Sequence, residues 1–152
     1  METESDKRKK FESWIAGMSN RIDEWIECVP PSDLSFDFSI ESLDKLEQFL
    51  LSNYAVEDLE NEAKRMELDG AVSYIGETII NVLREARWVI YLDDESNIYF
   101  GLPCVLTKYS GALSIHLLLK EILEAKTGKV LTNRLDKIIS YENLIIAQLN
   151  AR

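Results

Sequence analysis

The sequence predicts a mainly helical α+β domain, about five helices packed with one β-hairpin. Three observations carry this. Apolar residues recur at three- and four-residue spacings over most of the chain. Two β-rich runs flank one short polar loop in the middle. The 152 residues, 46% hydrophobic and 29% charged, suit one globular domain spanning 1–152, too short for two full cores.

The first element is an amphipathic helix over about 7–29. Phe11, Trp14, Ile15, Met18, Ile22, Trp25, Ile26 and Val29 form one apolar stripe, and Pro30-Pro31 ends it. Leu34, Phe36 and Phe38 alternate with polar residues, which predicts a short extended segment with one buried face. Ser39 is the expected N-cap of the next helix, striped by Leu43, Leu46, Phe49 and Leu50. Residues 56–68 are acidic and helix-prone, and Asp69-Gly70 is either a turn or a tolerated break. Val72, Ile75, Ile79, Val82 and Leu83 carry the stripe on, with Gly76 beside it, where the close approach of another backbone is expected. Trp88–Leu92 and Asn97–Leu102, joined by the polar tip at 93–96, predict a hairpin over about 88–106. Two helices follow, at about 111–127 and 132–150. Leu113 belongs to the first stripe, Gly128 is the first C-cap and Thr132 the second N-cap.

Charge is unevenly spread. There are 27 acidic and 17 basic residues, giving a formal net charge of −10. Nineteen of the acids lie in residues 23–95, against five bases. That balance argues against nucleic-acid binding, which draws on Lys and Arg at phosphates, and against an anionic membrane surface. It fits either a solvated face or an acidic face that docks a basic protein partner. The residues expected on that face are Glu57, Asp58, Glu60, Glu62, Glu67 and Asp69, with Asp93, Asp94 and Glu95 at the hairpin tip.

Catalytic signatures are missing. There is no nucleophile elbow, P-loop, dinucleotide fingerprint or zincin motif, and no cofactor is implied. His116 is the single histidine, and its helical neighbours Ala112, Leu113, Leu119 and Lys120 offer no metal ligand or catalytic partner. Cys28 and Cys104 read as two buried free thiols of a reducing cytosol, and two cysteines alone build no structural zinc site. The N-terminus carries no apolar leader, so a cytoplasmic location is expected. Glu77 stands on a largely apolar helix. It has either a structural hydrogen bond, to backbone or to Arg84 or Arg87, or a binding or catalytic role.

The order Phe38-Ser-Ile-Glu-Ser-Leu-Asp-Lys-Leu-Glu47, then Ala71…Tyr74-Ile-Gly-Glu77, Trp88 and Gly101-Leu-Pro103 resembles small bacterial domains similar to immunity proteins encoded beside toxins. The likeness covers roughly residues 36–103. It implies a non-enzymatic cytoplasmic protein that binds and blocks one toxin, and it assigns no site residues. Two alternatives stand beside that expectation. One is an adaptor pairing through the N-terminal helix, with Trp14 and Trp25 as anchors. The other is a small carboxylate- and metal-dependent enzyme.

Overall fold

A long central helix organises the molecule. The structure, a computed structural model, describes residues 1–151. Helix α4 (Glu62–Leu83) is buried along most of its length from Leu68 to Ile79. Around it lie α1 (Glu4–Ala16), α2 (Met18–Cys28), α3 (Ile40–Asn53), α5 (Ile115–Ala125) and α6 (Val130–Asn150). A 3-10 turn at Val56–Glu60 leads into α4. Three short strands, β1 (Arg87–Val89), β2 (Cys104–Leu106) and β3 (Ala112–Ser114), form an antiparallel sheet in that order. The class is mainly helical with a small sheet, as the periodicity predicts, though with six α-helices among the described residues instead of about five.

The expected single N-terminal helix is broken at Gly17. Its N–H donates to Ser13 O and the chain restarts as α2. Glycine is a weak helix former. The break leaves α1 on the surface with no buried residue, while α2 buries Met18, Ile22 and Trp25. The segment 32–39 forms no strand. Phe36 and Phe38 turn inward onto Tyr74, with ring centroids 5.3 and 4.9 Å away, so the alternation recorded burial and not sheet pairing.

The hairpin is real but differently closed. Trp88 pairs with Val105 in an antiparallel β1–β2 ladder, and residues 90–103 are a long loop. The run expected as a second strand at 97–102 is turns, with Asn97 Oδ1 accepting from Tyr99 N–H and Gly101 at φ +74°. The third strand was not expected. It takes Leu113 out of the helix stripe, and α5 starts at Ile115 under the Ser114 cap, whose Oγ accepts from Leu117 N–H at 3.2 Å.

Helix α6 starts before the expected Thr132 cap. The buried Glu47 carboxylate of α3 accepts from Val130 N–H at 2.9 Å and Leu131 N–H at 2.8 Å. An acid from another helix thus supplies both the acceptors and the favourable charge at an N-terminus. Ser39 caps α3 as expected, accepting from Ser42 N–H at 3.2 Å. Asp69-Gly70 is a continuation of α4, not a turn. Cys104 is buried as expected, but Cys28 is exposed; both are free.

Two glycines set how closely indoles approach α4. A Cβ on Gly70 would lie 2.5 Å from Trp25 Cβ. One on Gly76 would lie 2.1 Å from the outer edge of the Trp88 ring. The close approach expected at Gly76 is therefore made by a side chain, not by a backbone.

Candidate functional site

Helix α4 carries three partly buried carboxylates, Glu67, Asp69 and Glu77, and the last two stand about two turns apart. Asp69 is the centre of a network. Trp14 Nε1 donates to it at 3.0 Å, Arg21 Nε lies 3.5 Å away and His116 Nε2 4.0 Å away. Arg21 Nε also donates to Ser73 Oγ at 2.8 Å, and Ser73 Oγ donates to Asp69 O at 2.8 Å. The Arg21 guanidinium stands 4.4 Å over the Trp14 ring, and Trp14 meets Trp88 edge-on at 4.9 Å. This hub ties α1, α2, α4 and α5 together. Burial lowers the His116 pKa, and the nearby Asp69 charge opposes that shift. His116 Nδ1 is buried with no hydrogen-bond partner among the described residues.

Glu77 is the opposite case. Asp44, Glu47, Asp58, Glu67, Asp69 and Glu142 are all buried or half-buried, and each accepts a hydrogen bond or faces a cation. Glu77, also half-buried, has neither among the described residues. The expected bonds to Arg84 or Arg87 are not made. Trp88 Nε1 favours the charged carboxylate but lies outside hydrogen-bond geometry, and it is itself buried without a partner. Burial raises the Glu77 pKa, and the indole offsets this only in part.

Glu77 lines a cleft of about 530 Å³ with Asp23 of α2 and Asp37 of the 31–39 loop. Ile22, Ile80 and Phe38 supply its apolar wall, and Ser19 and Asn81 add polar groups. Among the described residues no lysine or arginine lines it. Phe38 is held at φ +61°, its N–H donating to Tyr74 Oη at 2.9 Å and its carbonyl accepting from Asn81 Nδ2 at 3.2 Å. Asp37 accepts from Ser39 Oγ and Ser39 N–H, which lowers its pKa. The cleft thus joins three carboxylates from three elements to an apolar and aromatic wall. That chemistry accepts an ammonium or guanidinium on an aliphatic stem.

A second, more apolar cleft of about 520 Å³ lies between α4 and α5, with Leu59 of the 3-10 turn and Leu102 of the long loop on its border. Glu62 and Asp69 line it, as do Arg65 and Lys120.

The acids expected on one docking face divide into groups. Glu57, Glu60 and Glu62 are exposed around the 3-10 turn and the start of α4. Asp93, Asp94 and Glu95 are exposed on the long loop. Four are engaged within the chain. Asp58 accepts from Ala55 N–H at 2.8 Å, Glu67 from Tyr54 Oη at 2.7 Å and Asp94 from Ser96 N–H at 2.9 Å, and Asp69 is the hub. Asp23 and Asp37 carry no signal of this role in the sequence, and neither does the Asp69–His116 pairing, because the partner comes from another helix. Trp25 is buried in the core and Trp14 is bound to Asp69, so neither is a free anchor for an outside helix. Among the described residues no three His, Cys, Asp or Glu side chains are grouped to hold a metal ion. No described helix is long and apolar enough to cross a membrane. No protein-family model, curated protein or solved structure matches the chain.

Proposed function

We propose that this protein is a non-enzymatic, cytoplasmic binding module for a basic protein partner. In its narrower form it is an inhibitor or immunity protein that blocks a toxin or nuclease-like enzyme. The observation that carries this reading is Glu77, a half-buried carboxylate that among the described residues has no partner, in a cleft lined by two more acids and no described base. Withdrawing such a group partly from water costs folding free energy. A lysine or arginine of the partner, entering beside Phe38, offsets that cost on binding and not before. The net charge of −10 adds long-range attraction for a cationic protein and speeds encounter. Inhibition follows by occlusion, since the basic residues an enzyme uses to hold phosphate are then engaged.

The test is a low-salt NMR titration of the labelled protein with an arginine- and lysine-rich peptide. The amides of Ser19, Phe38 and Asn81 are expected to shift, and salt to reverse the shifts. The variant Asp23→Asn, Asp37→Asn, Glu77→Gln is expected to lose them while keeping its fold. Shifts confined to other regions, or retained in that variant, reject the reading.

A further inference from the structure

We propose that the apolar groove between α4 and α5 receives an amphipathic helix of the same basic partner. Its apolar stripe faces inward and its basic flank faces Glu57, Glu60 and Glu62. This rests on the basic-partner reading above and adds the element by which the partner docks.

The groove is built for side chains, not for a single small group. Its volume is about 520 Å³, and Leu59, Met66, Val72, Leu102, Leu117 and Leu119 line it. Met66 is 76% exposed and Leu117 38% exposed, so apolar groups stand open to water at its mouth. Methionine is flexible and polarizable and adapts to the residue it meets. The two long walls are helices, the arrangement that takes apolar residues at i, i+3, i+4 and i+7 of a third helix.

Charge selects among such helices. The 3-10 turn that brings Leu59 to the groove carries Glu57 and Glu60 exposed on either side of it, and Glu62 lines the groove itself. None of these three has an ion pair among the described residues, whereas Lys120 already faces Glu124 at 3.8 Å. A helix with lysines or arginines along the flank nearest the turn satisfies this acidic edge. Arg65, one turn beyond Glu62 on α4, and Lys120 of α5 line the groove too, so the bases of the entering helix are confined to the end nearest the 3-10 turn.

The probe is a leucine–lysine peptide about five turns long, patterned as an amphipathic helix. A scrambled peptide of identical composition is the control. Fluorescence anisotropy measures both at low salt. The patterned peptide is expected to bind at least about tenfold more tightly than the scrambled one. Met66→Asp with Leu117→Asp is expected to remove that difference. Both positions are exposed, and an unchanged melting curve verifies the fold. Equal affinity for the two peptides, or a patterned preference that survives the double variant, overturns the groove. Binding that survives there but vanishes in the Asp23→Asn, Asp37→Asn, Glu77→Gln variant overturns the groove and leaves the basic-partner reading standing. Absence of binding by either peptide overturns both.

Discussion

Asp69 and Glu77 sit on one helix, each partly withdrawn from water and each with an indole N–H nearby. Asp69 has the Trp14 N–H, the Arg21 guanidinium and the His116 ring. Glu77 has an indole that misses hydrogen-bond geometry and nothing else among the described residues. The same residue class at similar depth thus does two jobs. A satisfied acid joins elements and contributes to folding. An unsatisfied one works against folding, and on the function proposed above it is held for a basic partner. Burial alone does not separate these roles; the partner inventory does.

The glycines beside the two acids allow the largest test of the comparison. Gly70→Ala places a methyl against Trp25 Cβ, which is fixed to the α2 backbone, so α2 and α4 must separate. A loss of about 3 kcal/mol in urea unfolding is expected. Gly76→Ala meets only the far edge of the Trp88 ring, which can swing aside. The helix propensity gained, about 1 kcal/mol, then offsets most of the cost. Its clearest effect is a change in near-UV circular dichroism as the Trp14–Trp88 contact opens. Equal losses at the two glycines mean that Trp88 is as fixed as Trp25, and the Glu77 region is then rigid core.

This pairing also shows what could be read from the sequence. The stripes at Met18, Ile22 and Trp25, at Leu43, Leu46 and Leu50, and at Leu118, Ile122 and Leu123 repeat every helical turn, and the structure buries them. Local signals such as the Ser39 cap held for the same reason, since their partners lie within one turn. Long-range partners were not legible. Glu47 capping α6, Asp69 meeting His116, and Asp23 and Asp37 converging on Glu77 all join residues from separate elements. Nothing in their spacing along the chain records that. The strand run at 97–102 failed because composition favours β structure while Asn97 and Gly101 favour turns, and the ladder formed further on, at 104–106.

A middle-sized effect is expected at the hub. Asp69→Asn keeps an oxygen for the Trp14 N–H but removes the charge facing Arg21 and His116. A loss of about 1–2 kcal/mol at neutral pH is expected. The histidine reports the cause. Burial holds its folded pKa below the ordinary 6.5, and Asp69 pulls it partway back. Its contribution is therefore fully present above pH 6.5 and is lost as pH falls through the folded pKa. Without the Asp69 charge the folded pKa drops further, so the acid loss deepens. NMR titration of the His116 ring protons in both proteins measures this. An unmoved or raised pKa in Asp69→Asn means that Asp69 does not act on the imidazole.

The smallest effect is the most telling. The Glu77 pKa is raised above its ordinary 4.5 by burial, so the folded chain holds this proton more firmly than the unfolded one. The resulting stabilisation is present below pH 4.5 and is lost as pH rises through the folded pKa. At neutral pH the charged group is thus a liability to the fold. Glu77→Gln keeps the shape and removes the charge. It is expected to melt slightly higher than the parent at pH 7, by under about 2 °C. That gain should disappear near pH 3, where Glu77 is protonated in both states. The same variant is expected to bind the basic peptide less well. A substitution that helps folding and harms binding identifies a residue held for its partner and not for the fold. A lower melting temperature for Glu77→Gln at pH 7 means instead that the Trp88 N–H satisfies the carboxylate in solution, and Glu77 then joins Asp69 among the acids that build the fold.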